Sequence, residues 1–240
     1  MLVEVCANSL ESALNAEKAG ADRIELCSEL GIGGVTPSYG LITAVKKKLS
    51  IPVHVLVRPR SGHFTYSDSE YEVLLNDIEL CKELGVDGIV SGVINTGGTL
   101  DGERTKHLVE VAGPLHFTFH RAFDWIPNPL EALLELESFG VDTVLTSGKR
   151  ISAEKGIDLL ADLNSIAKKI TIMAGSGINK TNIDVFKAIG LKAIHLSGTT
   201  FHNTVSVANK ISMNSENHLV EHQVAVTNME LIRQIVQRVK

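Results

Sequence analysis

Short β-rich runs alternate with longer amphipathic segments along the whole chain, and the alternation repeats eight times. Strands are predicted at 2–6, 23–27, 53–57, 88–91, 116–120, 143–146, 171–174 and 193–197. Helices are predicted at 9–19, 38–49, 68–84, 101–111, 129–139, 153–168, 179–189 and 228–239. Strands separated by helices of this length form βαβ units and a parallel sheet. Three helix-to-strand turns share a signature: Gly20-Ala21-Asp22, Gly85-Val86-Asp87 and Gly140-Val141-Asp142. A glycine just past a helix takes the left-handed conformation without a Cβ penalty, and the aspartate then turns the chain into the next strand. Ile189-Gly190-Leu191-Lys192 repeats the glycine before the eighth strand. An open doubly wound sheet is the competing architecture. The count of eight units, and the lack of Gly-x-Gly-x-x-Gly after the first strand, favour a single (β/α)8 barrel spanning 1–240.

One connection departs from the pattern. The polar segment 201–226, with Asn203, Asn209, Asn214 and Asn217, is an insertion before the last helix. Loops of this length serve as lids, subunit contacts or disordered segments.

Composition excludes several function classes. A net charge of −5 argues against a nucleic-acid partner, because phosphate neutralisation needs a local excess of Lys and Arg. The densest basic run, Lys46-Lys47-Lys48, closes a predicted helix, where cations suit the macrodipole. No apolar stretch reaches the roughly 20 residues of a membrane span, and Met1-Leu2-Val3 begins at once as a strand rather than a signal peptide. An odd count of three cysteines, Cys6, Cys27 and Cys81, suits a reducing compartment, so a cytoplasmic location is expected.

In an α/β barrel the C-terminal ends of the strands carry the chemistry. Glu4-Val5-Cys6 and Glu25-Leu26-Cys27 end the first two strands, so two Glu-x-Cys triplets face each other across neighbouring strands. Residues i and i+2 share a strand face, and parallel neighbours lie about 4.8 Å apart. Two thiolates and two carboxylates in one corner could ligate a soft metal such as Cu(I) or Zn. The cysteines could equally be small buried hydrophobes and the glutamates partners of arginines. The third strand ends Val57-Arg58-Pro59-Arg60, and Arg58 and Arg60 are expected to pair with the glutamates or clamp an anion. The following 61–67 segment is expected to be a mobile loop over the mouth.

The fifth strand leads into His120-Arg121-Ala122-Phe123-Asp124. His120 is a candidate general base or metal ligand, with Asp124 or a glutamate orienting its other nitrogen; a satisfied ion network is the alternative. Ser147 and Gly148, Gly175 to Gly177, and Gly198 follow the last three strands, where barrels of this kind bind phosphate, although tight turns alone also require glycine. His195, inside the eighth strand, is expected to fill the barrel interior.

These segments resemble the CutC family, named for copper homeostasis, along nearly the whole chain. The matching stretches are Glu4-Val5-Cys6, Gly20 to Cys27, Gly33 to Ser38, Val57 to Arg60, Thr118 to Asp124 and Leu145 to Gly148. The resemblance implies a TIM barrel, a cytoplasmic location and a role in copper binding or handling. It also implies that Cys6 and Cys27 match the cysteines suggested as copper ligands. The chain departs from the family after His195, where Leu196 stands at a position that often holds cysteine.

Two functions follow. The first is copper handling, with Cys6 and Cys27 binding Cu(I) and Glu4, Glu25 and His120 as auxiliary groups. The second is an enzyme of isomerase or lyase type acting on a small phosphorylated or carboxylated metabolite. In it Glu4, Glu25, His120 and Asp124 do acid–base work, and Arg58, Arg60, Arg121, Ser147, Gly175, Gly177 and Gly198 hold the anion. A non-catalytic scaffold barrel ranks last, because charged groups converging in a mouth are costly to desolvate. The expected partners are therefore a copper ion or a small anionic molecule, with a homodimer as the assembly considered.

Overall fold

A computed structural model describes residues 1–204, 211 and 223–240. It shows eight parallel strands closed into a barrel, each followed by a connection over the outer surface. The strands are β1 (Leu2–Ala7), β2 (Arg23–Leu26), β3 (Val53–Leu56), β4 (Gly88–Ser91), β5 (His116–Phe119), β6 (Thr143–Thr146), β7 (Thr171–Gly175) and β8 (Ala193–Leu196). Neighbours in sequence are neighbours in space, and β8 pairs with β1 to close the ring. The outer helices are α1 (Leu10–Lys18), α2 (Tyr39–Lys48), α3 (Asp68–Glu83), α4 (Gly102–Ala112), α5 (Pro129–Ser138), α6 (Ile157–Ile166), α7 (Ile183–Ala188) and α8 (Met229–Val239). A two-stranded antiparallel ladder, β9 (Thr199–Asn203) and β10 (Gln223–Thr227), stands between β8 and α8.

The ladder is not in the sequence expectation. It forms the two ends of the polar insertion, whose remaining residues, apart from Ile211, lie outside the described ones. Helix α6 starts later than expected because Gly148 and Gly156 pack backbone to backbone. A Cβ on Gly148 would lie 2.2 Å from the Gly156 carbonyl oxygen, so 148–156 is a tight loop rather than a first helical turn.

The three Gly-x-Asp turns do more than reverse the chain. Asp22, Asp87 and Asp142 accept the backbone N–H of Val3, Val53 and Phe117, each at 2.8 Å. Each aspartate precedes one strand and bonds to the strand before it, so it sets the alignment of adjacent strands at the N-terminal rim. Lys192 has no carboxylate, and there its backbone carbonyl takes the N–H of Leu2.

Alternate strand residues face outward into an aliphatic and aromatic shell that the helices cover, with Val5, Ile24, Val55, Ile89, Phe117, Val144 and Ile194 buried. The inward positions are unusually polar. Glu4, Arg23, Glu25, His54 and His120 are all buried inside the ring or at its upper end. Two glycines make room for imidazoles, since a Cβ on Gly88 or Gly92 would approach His54 or His120 to 2.7 Å.

Candidate functional site

A cavity of about 490 Å³ opens at the C-terminal ends of the strands. Cys6, Glu25 and His195 lie on one side of its lining, and Arg58, Phe64 and His120 form another part of it.

The soft donors come from β1, β2 and the residue following β2. Cys6 Sγ lies 3.5 Å from Cys27 Sγ, and its S–H donates to Glu25 Oε1 at 3.4 Å. Both thiols are buried, and the Cys27 bond together with burial pushes the Cys6 thiol up. Burial also raises Glu25, opposed by the charge of His195, and its Oε2 has no hydrogen-bond partner. Ligand atoms of Cys6, Glu25 and His195 all fall within 4.8 Å of one another, a spacing that one metal ion can bridge. A sulfur pair, an imidazole and an orphaned carboxylate oxygen suit a thiophilic ion.

The register explains this grouping. Cys6 pairs with Glu25 and Glu4 with Arg23, an offset of two residues from the alignment that would place the two Glu-x-Cys triplets side by side. The stagger of a closed barrel therefore puts the second glutamate beside the first cysteine, and leaves Glu4 deeper. Glu4 is wholly buried, bonded to Arg23 Nε at 2.5 Å and to His195 Nδ1 at 2.7 Å. Burial pushes Glu4 up, but the His195 bond and the Arg23 charge outweigh it and hold the group at about 2. Glu4 is thus an ion-pair partner beneath the cavity, with Arg23 in the place expected for Arg58 or Arg60.

His195 corrects a second expectation. It does not merely fill the interior: it lines the cavity, and its Nδ1 is fixed by Glu4. The carboxylate orients the ring, as a hydrogen-bonded carboxylate does behind a metal-binding histidine. Burial lowers its proton affinity, but Glu25 and the bond to Glu4 raise it further. The β8–β1 register, Glu4 opposite His195, could have signalled this pair once the ring was closed.

The arginines divide. Arg58 is buried and donates Nη1 to the carbonyls of Ile32 and Gly34 and Nη2 to Gly62. Arg60 turns away, because the carboxylate of Glu70 in the capping box of α3 and the carbonyls of Ser61, His63 and Thr65 hold it. It does not reach the cavity.

Asp124 is not the partner of His120. It takes the Thr146 hydroxyl at 2.5 Å, the N–H groups of Ser147 and Lys149 at 3.1 Å, and Arg121 Nε at 2.8 Å. These bonds anchor the loop after β6, where Lys149 has a φ of 58°. Ser147 is buried within that network, and Gly175 lies inside β7, where a Cβ would meet Leu145 at 2.6 Å. Arg121, Gly177 and Gly198 do line the cavity. His120 Nδ1 instead accepts the N–H of Ala122 at 3.3 Å, and burial followed by the nearby Arg58 charge lowers the imidazole to about 3.

The comparisons with known proteins agree with this architecture. The CutC family model matches residues 1–200. A CutC family protein of Edwardsiella ictaluri is 45% identical over 197 residues, covering 82% of this chain and 78% of that one. The structure described as the copper homeostasis protein CutC from Streptococcus agalactiae is 32% identical with a TM-score of 0.77, covering 82% of this chain and 98% of that one. The thiamine phosphate pyrophosphorylase of Pyrococcus furiosus shares the fold alone, at 15% identity and a TM-score of 0.60 over 98% of this chain and 94% of that one. With this family match over most of its length, and with the closed barrel that carries it, the chain belongs to the CutC family.

Proposed function

We propose that the chain handles copper, with Cu(I) as its cargo held by Cys6 and Cys27 at the mouth of the barrel. The observation that carries this reading is the buried sulfur pair, 3.5 Å apart, of which Cys6 lines the cavity. His195 and Glu25 are the auxiliary donors, and Glu4 positions His195. Copper binding requires loss of the thiol protons, and Glu25 is placed to accept the proton of Cys6. Free thiols are maintained in a reducing cytoplasm, which is the compartment this function needs. Among the described residues no helix is long and apolar enough to cross a membrane.

Competition against a chromophoric Cu(I) chelator under reducing conditions tests the proposal. The wild-type chain is expected to take up one Cu(I), Cys6→Ser and Cys27→Ser to lose it, and His195→Ala to retain weaker binding. Uptake that is absent, or unchanged in the Cys6→Ser/Cys27→Ser double variant, refutes the reading.

A further inference from the structure

The two sulfurs are not equally accessible. Cys6 lines the cavity, whereas Cys27 is wholly buried and does not line it. The segment that follows Cys27 folds back over it. Ser28 and Val35 form an antiparallel bridge, each N–H bonded to the other's carbonyl at 2.9 Å, and the chain loops out between them over 29–34. The loop holds one 3₁₀ turn, Leu30–Ile32, with Glu29, Gly33 and Gly34 at φ of 56°, 85° and 84°. Leu30 packs on the cluster of Cys6, Cys27, Leu56 and Val90. Gly34 stands so close that a Cβ on it would lie 3.5 Å from Cys27 Sγ. Leu30 and Gly33 also line the cavity, so the loop meets the cavity as well as the sulfurs.

The sulfurs also stand too close to hold an ion between them. On the scale of a zinc–thiolate bond, about 2.3 Å, two ligating sulfurs lie about 3.8 Å apart in tetrahedral and about 4.6 Å apart in linear coordination. Here they are 3.5 Å apart. Binding therefore requires the pair to part, and Cys27 is packed against the loop. One side chain holds that loop down. Arg58 is buried and donates Nη1 to the carbonyls of Ile32 at 3.0 Å and Gly34 at 2.6 Å, and Nη2 to that of Gly62 at 2.7 Å. Among the described residues no other side chain hydrogen-bonds to 29–34. The base of the loop is fixed separately. Thr36 N–H donates to the Arg58 carbonyl at 2.9 Å, and the Thr36 hydroxyl accepts the Arg58 N–H at 2.9 Å.

We propose that 29–34 is a flap over the sulfur pair, hinged at the Ser28–Val35 bridge and latched by Arg58, which lifts to let Cys27 be reached. A segment held by few apolar contacts opens locally at less cost than the fold unravels. This one rests on Leu30 while Ile32 is exposed. The latch then sets how fast copper enters and leaves, and the donors set how tightly it is held. The control of copper traffic rests on the copper reading. The flap motion does not, because it belongs to the metal-free chain.

Thiol labelling of the copper-free, full-length chain tests the flap, with iodoacetamide as reagent and each cysteine followed by peptide mass spectrometry. Cys81, buried on α3, serves as the internal clock for unfolding of the barrel itself. In a Cys6→Ser background, which removes the neighbouring thiol, Cys27 is expected to label about tenfold or more faster than Cys81. Arg58→Lys keeps the charge but cannot span the carbonyls of both loops, and is expected to speed Cys27 about tenfold further with Cys81 unchanged. Where Arg58→Lys speeds Cys81 as well, Leu30→Ala decides. It strips the apolar cover, leaves every latch bond in place, and is expected to speed Cys27 several-fold with Cys81 unchanged. Cys27 labelling in step with Cys81, or at a rate that neither variant alters, overturns the flap. With both copper-site cysteines present, Leu30→Ala is also expected to hand bound Cu(I) to a chelator several-fold faster than wild type. Unchanged transfer would overturn the control of copper traffic. A chain that takes up no Cu(I) yet labels as expected would refute the copper reading and leave the flap supported.

Discussion

Glu4 shows how much of this barrel depends on single charges. It is wholly buried, and it is tolerable there because Arg23 and His195 both bond it. Removing one partner leaves an uncompensated buried charge, which typically costs about 3–5 kcal/mol. Arg23→Met is therefore expected to lose stability on that scale in denaturant unfolding, and Glu4→Gln/Arg23→Met to recover part of it. A single variant within about 1 kcal/mol of wild type would mean that water reaches Glu4. His120 behaves oppositely, as a group kept neutral. Unfolded, it takes up a proton near 6.5; folded, burial and the Arg58 charge delay this to about 3. Acidification through that window favours the unfolded state, so His120 contributes stability above 6.5 that is lost as the pH falls toward 3, at up to about 1.4 kcal/mol per pH unit. His120→Asn should show a shallower fall in Tm between pH 6.5 and 5, and parallel wild-type and variant profiles would contradict the assignment. The residues of both clusters are recognisable in the sequence as polar groups at strand ends, but their partners are not. Arg23 was hidden at the start of a strand, and His195 meets Glu4 only when strands 191 residues apart close the ring.

Elements carry the clearest link from sequence to structure, and the Gly-x-Asp turn is the best case. Gly140 has a φ of 87° with open space where a Cβ would stand, so its cost on substitution is conformational rather than steric. Gly140→Ala is expected to lose about 1–2 kcal/mol. Asp142→Ala removes the acceptor for Phe117 N–H and should cost about 1 kcal/mol, visible also as faster amide exchange at Phe117. Unchanged exchange there would show that the aspartate only shapes the turn. Strand existence and order follow from this repeated unit. Register does not, because the alternation of inward and outward residues is preserved by a shift of two. The shift decides whether Cys6 meets Glu25 or Cys27 lines up with it, and the closed barrel settles it by its stagger.

At the scale of the whole molecule, the family-matched residues 1–200 contain all eight strands but not all the helices that cover them. The last helix, α8, follows the β9–β10 ladder and buries Ile232, Ile235, Val236 and Val239. Val236 approaches Gly20 at the end of α1, Ile232 approaches Gly198 after β8, and Arg238 pairs with Asp184 on α7. Helix α8 therefore fills the sector between the last unit and the first, over the seam where β8 joins β1. That seam also holds Glu4 and His195, so the cover and the site are coupled. A chain ending at residue 204 would expose the outward faces of Val3, Val5 and Ile194 to water, and it is expected to show no cooperative thermal transition. Ile232→Ala in the full chain tests the same idea more gently, with an expected loss of about 2–5 kcal/mol for a buried aliphatic truncation. A cooperative melt of the 1–204 chain, with Cu(I) uptake equal to that of the full chain, would show that the ring of strands holds its site without the eighth helix.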